Sequence, residues 1–288
     1  MGVRSTLLIH RVEPDGRMKS RRSIRLDALW FIHDCAVTPR WLVFVLSPVA
    51  FRVAPMLLGK TTPAESLAGD DRRPLRVLAV ERASLDGPGA VRTIVASSCE
   101  ARGFAFHTVN AFEEGDDRLA VDVAWAPRFP VLPSPRAETP ASFAPPRLTR
   151  IDVNLASATL GLTPTRTLFE IPEIDPSVAG TRHRVAWGLG GESTLSGITR
   201  WESGAPVMNR DFAPDVVAPP LFLPQPGPRA EGAGWILTTV YVPRTHSSDV
   251  LLLDATTLRT VARASLPHVL PPHFHGCWVP LPHGVGAT

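Results

Sequence analysis

The sequence predicts an all-β chain built from recurrent hairpins, in the manner of propeller blades or a sandwich. Two observations predict it. Proline accounts for 30 of the 288 residues, roughly twice average usage. Proline breaks helices and marks turns, so this density argues against a long helical bundle and for short strands between proline-rich loops. The second observation is patterning: Leu119, Val121, Val123 and Trp125 alternate with Ala120, Asp122 and Ala124, the period of a strand.

The elements follow in order. Residues 7–12, LLIHRV, lead into Glu13-Pro14-Asp15-Gly16, a strong turn. MKSRRSIRLD then returns as a polar strand, and its basic run (Arg17, Lys19, Arg21, Arg22, Arg25) reads as a solvated face. Residues 41–59 are apolar but carry Pro48, Arg52 and Pro55. A spanning helix needs about 20 apolar residues with few or no charges. The stretch therefore reads as a buried strand followed by an apolar loop. The alternative is a membrane-surface patch over residues 43–58, with Phe44, Val45, Phe51, Met56 and Leu57. Residues 127–146 are proline-rich with little periodicity, a long loop between blades or a linker. Residues 150–160 and 251–266 repeat the hairpin theme, and WILTTVYV (235–242) is a further strand. The theme is not a strict repeat, but it is the pattern of propeller blades or a sandwich. The whole of residues 1–288 reads as one such domain.

Charged residues are 20% and hydrophobic residues 44%, a globular composition and not a disordered one. The formal net charge of +3 is too small an excess to argue for nucleic acid. Cys35, Cys99 and Cys277 are odd in number and widely spaced, which suggests neither a disulfide framework nor a cysteine zinc site. The expected compartment is the cytoplasm, with peripheral membrane contact as an option. The opening MGVRSTLLIHRV has no h-region long enough for a signal peptide.

Three of the nine histidines stand in unusual settings: His33 in FIHD, His107 in FAFHTVNAFE and His275 in PPHFHG. Each is flanked by aromatics and expected at a strand edge. A histidine beside apolar residues is more often a satisfied core residue than a ligand. Separations of 74 and 168 residues match no local zinc motif. Only a fold that brings distant strands to one axis would unite them. His273 and His275, two apart, would share a strand face, so a local His-x-His chelate competes. Cys277 reads as a small core residue beside them.

At these residues the sequence resembles the carotenoid cleavage oxygenases, the family of the retinal-pigment-epithelium isomerase and the lignostilbene dioxygenases. The matching motifs are FIHDCAVTPRW (31–41), FAFHTVNAFEEGD (104–116), FEIPEIDPSVAGTRHR (169–184), GWILTTVY (234–241) and LPHVLPPHFHGCWVP (266–280). They occur in the family's order across nearly the whole chain. The resemblance implies a seven-bladed β-propeller with a non-haem Fe(II) at its centre, bound by four histidines. Three of these map to His33, His107 and His275. It also implies a glutamate, here Glu170, that accepts a hydrogen bond from a ligand imidazole. Neutral imidazoles suit iron and leave its charge intact. A supporting carboxylate fixes each ring's tautomer, and its loss typically costs 10–100-fold in metal affinity or activity. The implied reaction is O₂-dependent scission of a carbon–carbon double bond in a carotenoid, apocarotenoid or stilbene-like alkene, giving two carbonyl products.

Two departures stand out. The family's first iron-binding histidine lies farther upstream of the His-Asp motif than this chain reaches, so the fourth ligand and the opening blades are expected to be missing. His10 does not carry that ligand's motif. The family usually reads Glu-Pro-Leu/Val-Phe-Val-Pro where this chain reads Pro219-Pro220-Leu221-Phe222-Leu223-Pro224. Pro219 stands where a supporting glutamate is expected. The readings that follow are an Fe(II) dioxygenase, or part of one; an inactive or truncated propeller that binds apolar ligands; and an unrelated three-histidine zinc hydrolase.

Overall fold

The computed structural model describes residues 4–63, 65–130, 144–271 and 273–279. The chain divides into two compact units, residues 1–166 with 179–182, and residues 167–178 with 183–288.

The first unit opens with the expected hairpin, β1 (Ser5–Val12) and β2 (Met18–Leu26), paired antiparallel. Next come β3 (Trp30–Phe31), β4 (Ala36–Val37), β5 (Trp41–Phe51), the short helix α1 (Val53–Leu57), β6 (Leu67–Gly69), β7 (Arg76–Glu81) and β8 (Thr93–Ser97). The unit continues through β9 (Phe104–Glu113), β10 (Arg118–Ala126), β11 (Arg147–Asn154) and β12 (Thr159–Leu168). Its ten-stranded sheet runs β3-β5-β7-β8-β12-β11-β10-β9. With β4 and β6 also paired to β5, six strands (β3–β8) lie on one side and four (β9–β12) on the other of one parallel bridge, Thr159 to Ser97. The proline-rich segment expected over residues 127–146 falls largely outside the described residues.

The apolar run 41–59 is explained by β5. Trp41, Val43 and Val45 face one core cluster, with Val77, Ala79, Val121 and Ile151. Phe44 and Leu46 face another, with Leu26, Trp30, Leu78 and Val80. A strand buried on both faces needs a continuous apolar sequence. Phe44 and Val45 are therefore core residues and not a membrane patch. The expected apolar loop is α1, whose Leu57 is 76% exposed. Among the described residues no helix is long and apolar enough to cross a membrane.

The alternation read in residues 119–125 belongs to β10, a central strand between β9 and β11. Its polar position is buried as well. Asp122 is 3% exposed and sits directly across from Arg150, which binds it through Nε and Nη2 at 2.5 and 2.7 Å.

The second unit contains β13 (Glu170–Ile174), β14 (Val185–Gly190), β15 (Gly197–Glu202) and β16 (Met208–Asp211), one four-stranded antiparallel sheet. A further sheet holds β17 (Val216–Val217), β18 (Leu221–Pro224), β19 (Gly234–Val242), β20 (Ser247–Asp254) and β21 (Thr260–Ser265), with β17 and β18 both on β19. Its core gathers Trp187, Phe222, Ile236 and Leu253. The Trp187 and Phe222 rings stack with centroids 4.7 Å apart. The groups β9–β12 and β13–β16 are each four-stranded and antiparallel, the size of a propeller blade.

Candidate metal centre

His33 follows β3, in the short extended link to β4, and His107 lies on β9. The ten-stranded sheet begins at β3 and ends at β9, yet these ends meet. Ser47, fully buried on β5, receives the Ala105 N–H at 3.0 Å and gives its hydroxyl to the Ala105 carbonyl at 3.3 Å. This bond fixes the edge of β9 against β5.

The β9–β10 register then slips. Val123 pairs with Thr108 and Trp125 with Ala105, so Phe106 and His107 together oppose Ala124. A bulge of this kind re-aims a side chain and removes a backbone group from the ladder. Asp34 answers it: its Oδ2 accepts the Thr108 N–H at 2.9 Å, and its Oδ1 accepts the Cys35 N–H at 2.7 Å. The residue after His33 is therefore tied to the residue after His107. The two imidazoles meet edge to face, centroids 5.1 Å apart and planes at 87°. A nitrogen of each lies within 4.8 Å of the other.

Further bonds within the unit hold this pairing. Glu113 Oε1 accepts from Thr38 Oγ1 at 2.7 Å and from Arg40 N–H at 2.8 Å. Asn110 gives its Nδ2 to the Thr181 carbonyl and takes the Gly180 N–H, both at 2.9 Å. Gly180 has φ +76°, and a Cβ there would come within 2.3 Å of the Val37 carbonyl oxygen, so only glycine fits this close approach.

Aromatic rings wall the imidazole pair. Phe31 stacks on His33 at 6.0 Å, and Phe106 meets the His33 ring edge-on at 5.5 Å. Phe104 lies 5.0 Å from Phe31 and 4.7 Å from both Phe106 and Phe129.

In the second unit, Glu170 opens β13 and is 7% exposed. Its Oε2 accepts the Ile171 N–H at 2.7 Å. Ile171 has φ +46°, a left-handed conformation uncommon for a β-branched residue. The register slips by one residue between Glu170 and Glu173.

His275 is exposed and borders a pocket of about 100 Å³ lined also by Pro172, Glu173, Pro219, Leu221 and Thr239. Residues 273–279 are not in a strand, so the expectation of a shared strand face for His273 and His275 is corrected. His273 Nε2 instead lies 3.0 Å from Thr239 Oγ1, which weakens the His-x-His reading. Cys277 is exposed and not a core residue. Burial pushes the Glu173 carboxyl up to about 7, against the Phe222 N–H that favours its ionised form.

The family model for the retinal pigment epithelial membrane protein matches residues 1–280. The chain belongs to this family. Among the relatives of this carotenoid oxygenase family, the chain is 30% identical to the apocarotenoid-15,15'-oxygenase of Synechocystis over 95% of its own length and 57% of the relative's. It is 27% identical to lignostilbene-alpha,beta-dioxygenase isozyme III of Sphingomonas paucimobilis, over 93% and 58% of the two chains. The solved structure of cobalt-substituted Synechocystis ACO superposes with a TM-score of 0.85 at 27% identity, covering 97% of this chain and 59% of that one. This confirms the propeller-family fold that the motifs implied. The chain spans somewhat under three-fifths of these relatives.

The motif positions named His33 and His107, and the structure brings the two together within one unit. Asp34 was not singled out by sequence reasoning. Its signal was present in the carboxylate adjoining His33, but its partner is a backbone N–H of β9, which has no residue signature.

Proposed function

We propose that the chain is the metal-holding part of an Fe(II)-dependent oxygenase that cleaves a carbon–carbon double bond of an apocarotenoid, carotenoid or stilbene-like alkene to two carbonyl products. The observation that carries the reading is the edge-to-face pairing of His33 and His107 within an aromatic wall. Family membership and the names of the relatives support the substrate class.

The residues present fit a ferrous ion. Two imidazoles with nitrogens within 4.8 Å of one another are neutral donors of the kind iron accepts. In this proposal His33, His107 and His275 are ligands and Glu170 is a supporting carboxylate. When bound, the metal supplies the activation of O₂. The protein supplies the rest. Asp34 holds the two histidine-bearing segments in register. Phe31 and Phe106, the half-buried members of the aromatic wall, offer apolar contacts to a conjugated polyene or stilbene, and buried Phe104 backs them, excluding water from the alkene. Exposed Leu57 on α1 and Leu58 just beyond it are the remaining candidates for membrane contact, since such substrates partition into membranes.

The purified protein with Fe(II), O₂ and an apocarotenal should yield shorter aldehydes by chromatography, and His107→Ala should abolish them. Absence of product across polyene and stilbene substrates would overturn the reading. Pro219 favours a second one, a non-catalytic propeller that binds apolar ligands. It predicts polyene binding without O₂ uptake and no change on His107→Ala.

A further inference from the structure

The pocket beside His275 contains a carboxylate that the proposed chemistry has not used. Metal-bound histidines almost always donate their second ring N–H to a carboxylate, a carbonyl or water, which fixes the tautomer and orients the ring. Pro219, on this pocket's wall, has no side-chain acceptor. Glu173 lines the same pocket and is the only acidic residue there among the described residues.

Local structure explains how Glu173 comes to face this pocket. Ile171 takes a left-handed φ of +46° and β13 carries a bulge between Glu170 and Glu173. Glu170 pairs with Leu189 and Glu173 with Trp187, so β13 spends three residues where β14 spends two. The bulge changes the face on which Glu173 would otherwise stand. The Phe222 N–H of β18 favours the carboxylate there. Phe222 is three residues beyond Pro219 in sequence.

We propose that Glu173 is the positioning carboxylate for His275, taking from β13 the role that a side chain at position 219 cannot play. The inference rests on the reading of His275 as a metal ligand. Glu173 acts through the imidazole; it is not itself a ligand.

The test is a Co(II) titration of the full chain, followed by the visible absorption of the bound ion and by the thermal melting of the metal-free protein. Glu173→Gln should weaken Co(II) binding by 10–100-fold while the metal-free melting point stays near that of the parent. Adding Pro219→Glu to Glu173→Gln should recover most of the affinity. Combined with His275→Ala, Glu173→Gln should add no further loss, because both act on one ligand. If Glu173→Gln does not fold, Glu173→Leu replaces it, removing the carboxylate from a half-buried site at similar volume. Parent affinity in the Glu173 variant, or a loss of equal size with and without His275, would overturn the inference. Those results would leave the metal site standing if His107→Ala still abolished binding. Failure of the parent chain to bind Co(II) at all would instead overturn the functional reading and this inference with it.

Discussion

The Asp34 carboxylate accepts the Thr108 N–H at 2.9 Å, joining segments 74 positions apart in sequence. Thr108 lies beside the register slip on β9, the end strand of the sheet path, and its N–H goes to Asp34. A backbone donor released from a ladder must find another acceptor or lose stability. Here the acceptor adjoins one imidazole and the donor adjoins the other. The element that aims His107 is thus the same one that docks His33 beside it.

Replacing Asp34 with alanine should therefore separate the two rings. The lost acceptor should cost about 1–3 kcal/mol of stability. Co(II) affinity should fall by roughly 10–100-fold. Asp34→Asn keeps an acceptor oxygen and should retain most of the stability. Urea unfolding with a Co(II) titration checks both; an alanine variant with parent-like affinity would show that the bond does not position the site.

The pair Asp122–Arg150 is a purely structural counterpart. Asp122 is buried between β9 and β11, and the Arg150 guanidinium also lies 5.0 Å over the Phe112 ring. Asp122→Ala leaves a largely buried cation without its partner. Breaking a buried pair in this way typically costs about 3–5 kcal/mol; Arg150 keeps some solvent contact, so about 2–3 is expected here. Denaturant melts should show the loss, and the double variant Asp122→Ala/Arg150→Met should recover part of it.

Much of this was legible before the fold was seen. The turn at Glu13-Pro14-Asp15-Gly16 gave the β1–β2 hairpin, and the uniform apolarity of residues 41–51 marked a strand buried on both faces. The motifs carrying His33 and His107 stood out because an imidazole between aromatics is rare in a solvated loop. What escaped was context set by the backbone. The bulges at His107 and at Glu173 depend on register between strands, and register has no local sequence code when both faces are buried. The same is true of Ser47, a polar residue in an apolar run whose partner is a backbone group of β9 58 residues away. His273 and His275 suggested a strand by spacing alone, but residues 273–279 are not in one.

Metal should stabilise the folded chain by mass action. A ligand at 100 times its dissociation constant adds about 2.7 kcal/mol to a state that alone binds it. For a chain of this size that corresponds to a rise of roughly 4–5 °C. Scanning calorimetry with Co(II) should show the rise, EDTA should reverse it, and His33→Ala or His107→Ala should abolish it. An equal rise in the His107 variant would place the bound ion elsewhere.

Acid should undo the second unit through Asp175. This carboxylate is fully buried. Burial raises its pKa, but the Ser177 N–H and hydroxyl, the Gly232 N–H and the charge of Arg229 outweigh that and hold it below the ordinary 3.8. Arg229 Nη2 lies 2.5 Å from Oδ1. In the unfolded chain Asp175 binds its proton more readily than in the folded one, so stability rises with pH across the interval between the two values. The contribution is complete above the unfolded value of 3.8 and is lost as pH falls through the folded one. Asp175→Asn should cost about 3 kcal/mol at pH 7, where Arg229 is left without its counter-charge. The gap between parent and variant should narrow on acidification below pH 4, because only the parent loses the contribution. Urea midpoints measured from pH 7 down to pH 3 test this; a gap that stays constant would mean that Asp175 stabilises the fold without a shifted titration.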